Sequence, residues 1–372
     1  MIYLDYQATT PVAPEVAEAT QPWIAEKFAN PHSPSRWGRE AAVAIEVARK
    51  HVGKSIGLEG GSLAFTGSAT EALNWALKGT MERIGDQRNR IVTVATEHAA
   101  VLDTAEWLAG QGCDLTVLPV GSDGLLDLDL LAESLDDRVA IVAAMLVNNE
   151  IGVIQPISEI ARLAHAAGAL MLCDAVQGLG RIEIPDGPDL VAVSAHKIHG
   201  PKGIGALWMR KGCSPVPLIH GGGQELGLRS GTLSPALCVG FGAAAKLATD
   251  HARANRLHVE ALWTAALEAL GPEWAVNGSA DHRYHGNLNI RRAGLDGARL
   301  ISDLRDIAFS LGSACASGSG RPSHVLRALG LSDREARSSI RLGFGRYTSI
   351  EQLTDACRRI DAAALAQQDI AA

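Results

Sequence analysis

The chain has 372 residues, 47% of them hydrophobic and 20% charged, and 34 Lys plus Arg against 41 Asp plus Glu give a formal net charge of −7. This is ordinary globular composition and excludes a disordered chain; no long basic run points to nucleic acid, and no apolar stretch reaches the roughly 18 residues of a membrane span. At about 150 residues per domain, the length suggests two domains.

Met1-Ile-Tyr-Leu-Asp-Tyr6 lacks the charged and apolar segments of a signal peptide. Six cysteines, at 113, 173, 213, 238, 315 and 357, form no CxxC pair and no framework. Free thiols in a reducing cytoplasm are therefore expected. Apolar runs predict strands at Leu63–Thr66, Ile91–Ala95, Leu115–Val120, Val139–Val147, Leu170–Cys173, Leu190–Ser194 and Gly205–Met209. They are nearly continuous rather than alternating, as in strands buried on both faces of a mostly parallel sheet. Helical spacing separates them, most clearly at Ile160, Leu163, Ala164 and Ala167, with Ser158 as the start and Gly168 as the stop. The rhythm predicts an α/β domain. It weakens after Thr232, where Ala236–His258 reads as one Ala-rich helix, Gly286–Asn289 as a turn, Asp296–Leu304 as a helix and Ser310–Gly320 as a small-residue loop. The expected division is a large domain over 15–255 and a smaller α+β domain formed by 1–14 with 256–372.

Four motifs carry chemistry. Thr66-Gly-Ser-Ala-Thr-Glu71 sits where a strand gives way to a helix, and Ser68-x-x-Glu71 matches a capping box. Such a helix start is either a plain cap or an anion site suited to phosphate. Asp174 follows a buried strand at its C-terminal end, the edge where α/β sheets bind ligands, and reads equally as a helix cap. Lys197, in Ser194-Ala-His196-Lys197-Ile-His199, follows the next strand, where a lysine of lowered pKa can form a Schiff base. His196 and His199 lack a third ligand, which disfavours metal. Cys315 lies among Ser, Gly and Ala in Ser310–Gly320, whereas Cys173 and Cys238 lie in apolar runs and read as inert core residues. Together with a ring-facing histidine, His98, the cradle, the aspartate and the lysine make up the set that pyridoxal phosphate requires.

In these motifs the chain resembles the cysteine desulfurases, the NifS/IscS-like branch of the class-V aminotransferases. The resemblance covers nearly the whole chain. It is carried by Tyr3-Leu-Asp-Tyr-Gln-Ala-Thr-Thr-Pro11, Asn30-Pro-His-Ser33, Phe65-Thr-Gly-Ser-Ala-Thr-Glu71, Thr96-Glu-His98, Asn148-Asn-Glu-Ile-Gly152, Asp174-Ala-Val-Gln177, Ser194-Ala-His-Lys197, Gly221-Gly-Gly-Gln-Glu225 and Arg229-Ser-Gly-Thr232. Gly312-Ser-Ala-Cys-Ala-Ser-Gly-Ser319, followed by Pro322-Ser-His-Val-Leu326, is similar to the long cysteine loop of the group I enzymes. Two departures stand out: Gly67-Ser68 replaces the commoner Ser-Gly order, and Gln7 stands where Asn or Ser is usual.

The resemblance implies a fold-type I pyridoxal-phosphate enzyme, homodimeric, with active sites shared between subunits. Lys197 would carry the cofactor and Asp174 would hold its ring nitrogen. Gln177 and Asn149 would lie near the ring hydroxyl, and His98 would stack on the ring and carry protons. Ala69, Thr70, Ser194 and His196 would hold the phosphate, joined by Thr232 from the partner subunit. Arg341, in Ser339-Ile-Arg-Leu-Gly343, would bind the substrate carboxylate, with Asn149 beside it. The implied reaction turns L-cysteine into L-alanine and leaves a persulfide on Cys315 for an acceptor such as an iron–sulfur scaffold protein. No resident metal is implied, although Cys315 could serve as a transient cluster ligand shared with a scaffold. The alternative is another class-V activity, an aminotransferase or a selenocysteine lyase.

Overall fold

The computed structural model describes residues 1–84, 87–311 and 322–371. After a short strand β1 (Ile2–Tyr3), a seven-stranded sheet is built from β2 (Gly61–Thr66), β3 (Arg90–Val94), β4 (Asp114–Leu118), β5 (Val139–Met145), β6 (Leu170–Asp174), β7 (Leu190–Ser194) and β8 (Gly205–Arg210). Its order is β2-β8-β7-β6-β5-β3-β4. β8 runs against both its neighbours, and every other adjacent pair is parallel. All seven predicted strands are present, with ends displaced by a residue or two.

The continuous apolar runs have a direct cause. On β6, Met171 and Cys173 enter one apolar cluster while Leu172 enters another on the opposite face. On β7, Val191 and Val193 face one way, and Leu190 and Ala192 the other. Helices cover both faces, so neither face needs polar residues. The helix Arg36–Ile56 packs so closely on Pro235–Asp250 that a Cβ at Gly242 would lie 2.5 Å from the Ala48 Cα.

A third apolar cluster joins Leu4 to Leu262, Leu288, Ile340 and Leu353. Its sheet has the order β12-β10-β9, from β9 (Ala275–Val276), β10 (Asn287–Arg291) and β12 (Ser339–Gly343). β1 pairs in parallel with β11 (Ile307–Ala308), which fastens the start of the chain to this unit.

Three expectations are corrected. Ala236–His258 is not one helix: Pro235–Asp250 and Ala252–Leu270 meet at His251, whose φ of −112° and ψ of 12° break the helical path. The Gly286–Asn289 turn is mostly strand, because Asn287 opens β10. Buried partners make asparagine tolerable there: Asn289 donates to the Glu150 carbonyl (3.0 Å) and accepts from Asn277 (2.7 Å). The helix with Gly168 beyond its end begins at Ile157, one residue before Ser158.

Candidate active site

Parallel strands share a C-terminal edge, and the loops leaving that edge meet over it. β3 leads into Glu97 and His98, β5 into Asn148–Glu150, β6 ends on Asp174, and β7 runs into Lys197. β2 delivers Gly67–Thr70 to the same edge, because Thr66 and Ser194 both face Gly205. One cavity of about 1080 Å³ opens there. Ala69, Thr70, His98, Asn149, Asp174 and Gln177 line it, as do Ser194, His196, Lys197 and Arg341. Thr232 is exposed and does not line it, and Cys315 lies outside the described residues.

The cradle is the start of the helix Ala69–Ile84, whose first-turn amides have no acceptor within the helix. Ser68 Oγ accepts from the Glu71 N–H (3.1 Å), as a cap should. The reciprocal bond goes elsewhere: Glu71 accepts from the Gly67 N–H (2.7 Å), not from Ser68. Arg229 grips both Glu71 carboxylate oxygens, at 2.7 and 3.0 Å. This fork offsets the one negative charge in the first turn, leaving the helix start free to attract an anion. Gly205 allows the cradle to sit this low on the sheet, since a Cβ there would fall 2.5 Å from the Ser68 carbonyl carbon.

Lys197 lies on the 3-10 turn Ala195–Lys197. Its amine donates to the Ala8 carbonyl (2.8 Å) and to the Gln7 carbonyl. Burial, then Arg181 and Arg341, lower its pKa from 10.5 to about 7, against the opposite pull of Asp5 and Asp174. His196 is held near 4 by burial, then Lys197, and shares a 3.1 Å hydrogen bond with Thr9 Oγ1.

Asp174 is 6% exposed and accepts from the Val176 N–H (2.9 Å), so it closes a turn rather than capping a helix. Burial raises its pKa, while His98, the Val176 N–H and Lys197 oppose the rise. Glu97, which the sequence reading assigned no role, is buried beside it. One Glu97 oxygen accepts from Met145 N–H (2.7 Å) and the other has no partner among the described residues. Burial, then the Asp174 charge, holds its carboxyl well above the usual range. Of this pair Glu97 is pushed further toward its neutral form, whereas Asp174 faces Lys197 and His98, which favour its charged form.

His98 caps the helix Ala99–Ala109 through Nδ1, which accepts from the Ala100 N–H (3.0 Å). While that cap holds, the ring proton sits on Nε2. Arg341 is 1% exposed and bonds Asp5 Oδ1 (2.7 Å) and the Asn149 carbonyl (2.9 Å). Its Nε is unpartnered among the described residues. The Gln177 amide donates to the Gln7 carbonyl (3.0 Å) and accepts from Arg181. Cys173 and Cys238 are buried, and burial raises both thiols, Cys238 to about 12. His324, also without an assigned role, lines the cavity and donates from Nε2 to the Glu97 carbonyl (2.9 Å). The missed residues carry a faint signal: Glu97 adjoins His98, and Arg181 lies four residues beyond Gln177.

The aminotransferase class-V family model matches residues 2–355. The cysteine desulfurase IscS of Rickettsia bellii is 44% identical over 370 residues, covering 96% of this chain and 90% of that one. Among solved structures, a NifS-like protein superposes with a TM-score of 0.89 at 33% identity, covering 97% of this chain and 98% of the other. A structure described as SspA in complex with cysteine has a TM-score of 0.83 at 33% identity, covering 94% and 100%. The chain belongs to the class-V aminotransferase family, and its relatives there are cysteine desulfurases and NifS-like proteins.

Proposed function

We propose that the protein is a pyridoxal-phosphate-dependent cysteine desulfurase. Its net reaction converts L-cysteine and a thiol on Cys315 into L-alanine and a Cys315 persulfide. The observation that carries the reading is the meeting, in one cavity, of an amine with pKa about 7, a buried carboxylate and a helix start freed of its own negative charge. Each suits one part of the cofactor. The Lys197 amine suits the aldehyde, Asp174 the ring nitrogen, and the Ala69 and Thr70 amides the phosphate, with Ser194 and His196 beside them. Bound there, pyridoxal phosphate supplies an electron sink for charge developing at the substrate α-carbon.

The protein's own groups supply the rest. Lys197 as free amine takes the α-proton, helped by a pKa near neutrality. His98, at the cavity wall, presents its Nε2–H and would stack on the bound ring. The Arg341 guanidinium receives the substrate carboxylate, and Asn149 keeps that guanidinium in place through its carbonyl. The Cys315 thiolate attacks the substrate sulfur, and the departing carbon fragment keeps the C–S electron pair and gains a proton as alanine. A relative solved with cysteine supports this choice of substrate.

The same reading makes the protein a homodimer whose sites are completed by Thr232 of the other subunit. It acts in the cytoplasm, passes sulfur to an iron–sulfur scaffold or another thio-cofactor pathway, and divides into domains over 15–255 and 1–14 with 256–372. Among the described residues no helix is long and apolar enough to cross a membrane. The test is Cys315→Ala. The variant should keep the yellow cofactor band, yet form neither persulfide nor alanine from cysteine. Undiminished sulfur transfer would remove Cys315, and amino-group transfer to a keto acid would favour an aminotransferase.

A further inference from the structure

Lys197 also lines a second, smaller cavity of about 110 Å³ between the large sheet's unit and the unit around β10. Three buried or half-buried guanidiniums line it: Arg181, Arg283 and Arg346. Several guanidiniums elsewhere in the molecule meet carboxylates, as Arg49 does Glu225 and Arg229 does Glu71, while half-buried Arg88 bonds the Val139 and Ala167 carbonyls. Among the described residues the three chamber guanidiniums hydrogen-bond only to amide oxygens, and Arg181 and Arg283 also lie over the Tyr284 and Trp263 rings, at 5.4 and 5.0 Å. Arg181 reaches Gln177 and the carbonyls of Tyr6 and Lys197. Arg283 reaches the carbonyls of Ile151, Asn277, Ser279 and Asn287, and Arg346 reaches that of Leu247. Neutral oxygens satisfy donors without cancelling charge, and a buried charge demands a counter-charge. Among the described residues the lining holds a single carboxylate, Glu260, already bonded to His285 (2.6 Å). The Nε atoms of Arg283 and Arg346 find no acceptor among the described residues.

We infer that this chamber binds a small, singly charged oxyanion of formate or bicarbonate size, held by Arg346 and Arg181 beside Lys197. A planar oxyanion matches the guanidinium fork, and a chamber of about 110 Å³ has room for one. Occupancy has a consequence for the reaction. The charged groups facing Lys197 are Arg181 and Arg341, which disfavour its protonated form, and Asp5 and Asp174, which favour it; His196 adjoins it in sequence. An anion on Arg181 removes part of the disfavouring field, so the lysine nitrogen holds its proton to higher pH.

The test uses cofactor-loaded protein and depends on the cofactor reading only for its optical signal. The visible band is titrated with pH in sodium formate and, at matched ionic strength, in a bulky sulfonate salt. Formate should raise the midpoint saturably, by about half a pH unit. Arg346→Gln should abolish the rise. No rise in the wild type overturns the inference. So does a rise that survives in Arg346→Gln, which would place the anion at Arg341. Bromide soaked into crystals of the wild-type protein gives a second measurement that needs neither variant nor optical band. An anomalous peak inside the chamber is expected, and bromide bound elsewhere with the chamber empty overturns the inference. A protein that never develops a visible band counts against the cofactor reading alone.

Discussion

Opposing fields meet at Lys197. Burial and two guanidiniums hold the amine near 7, while two aspartates resist. Below about pH 7 the nitrogen is an ammonium and cannot attack an aldehyde; above it the free amine predominates. The rate at which cofactor-free protein captures pyridoxal phosphate should therefore climb as pH rises through about 7 and then level, followed by growth of the visible band. A climb centred near the ordinary lysine value of 10.5 would contradict the assignment. Glu97 gives a second prediction. Because burial pushes its carboxyl toward the neutral form and it accepts from the Met145 N–H, Glu97→Gln should cost less than about 1 kcal/mol in urea unfolding. Glu97→Ala leaves that buried N–H without an acceptor and should cost about 1–3 kcal/mol. Equal losses in the two variants would mean that Glu97 is ionised.

Strands and cradle were legible for a physical reason. β5, β6 and β7 are buried on both faces, so their apolar runs are unbroken and their ends clear. The start of the helix Ala69–Ile84 was legible because capping is local chemistry between residues three apart. The break at His251 was not, since the Ala-rich pattern runs on through it and only the path of the backbone records the change. The strand at Asn287 was hidden by residues that usually mark turns, here satisfied by partners distant in sequence. The neutralisation of Glu71 by Arg229 spans 158 residues and has no local trace. The cradle also depends on Gly205 in β8. Gly205→Ala would press a methyl group against Ser68 and Ala69, lifting the helix start from the sheet. The variant should lose affinity for pyridoxal phosphate at least tenfold by fluorescence titration, while affinity for pyridoxal without its phosphate changes little. A matching loss for both would remove the cradle's role as phosphate site.

Over the whole molecule, the first ten residues tie the two apolar units together at the site. β1 joins β11, Asp5 bonds Arg341 of β12, the Gln7 and Ala8 carbonyls meet Lys197, and Thr10 bonds the turn that carries it. None of these pairings has a sequence signature, since each joins residues more than 180 apart. Arg341 thus reaches the cavity from the second unit, held by Asp5 and by Asn149 of the first. Arg341→Lys replaces a fork by a point donor and should raise KM for cysteine about tenfold or more with a smaller change in kcat. A loss confined to kcat would move Arg341 from substrate binding to chemistry. The most direct measurement of the account is borohydride reduction of the cofactor-loaded protein followed by peptide mass spectrometry. Reduction fixes the lysine–aldehyde link, and the account predicts a single pyridoxyl phosphate adduct, on Lys197. An adduct on another lysine, with Lys197 unmodified, would contradict it.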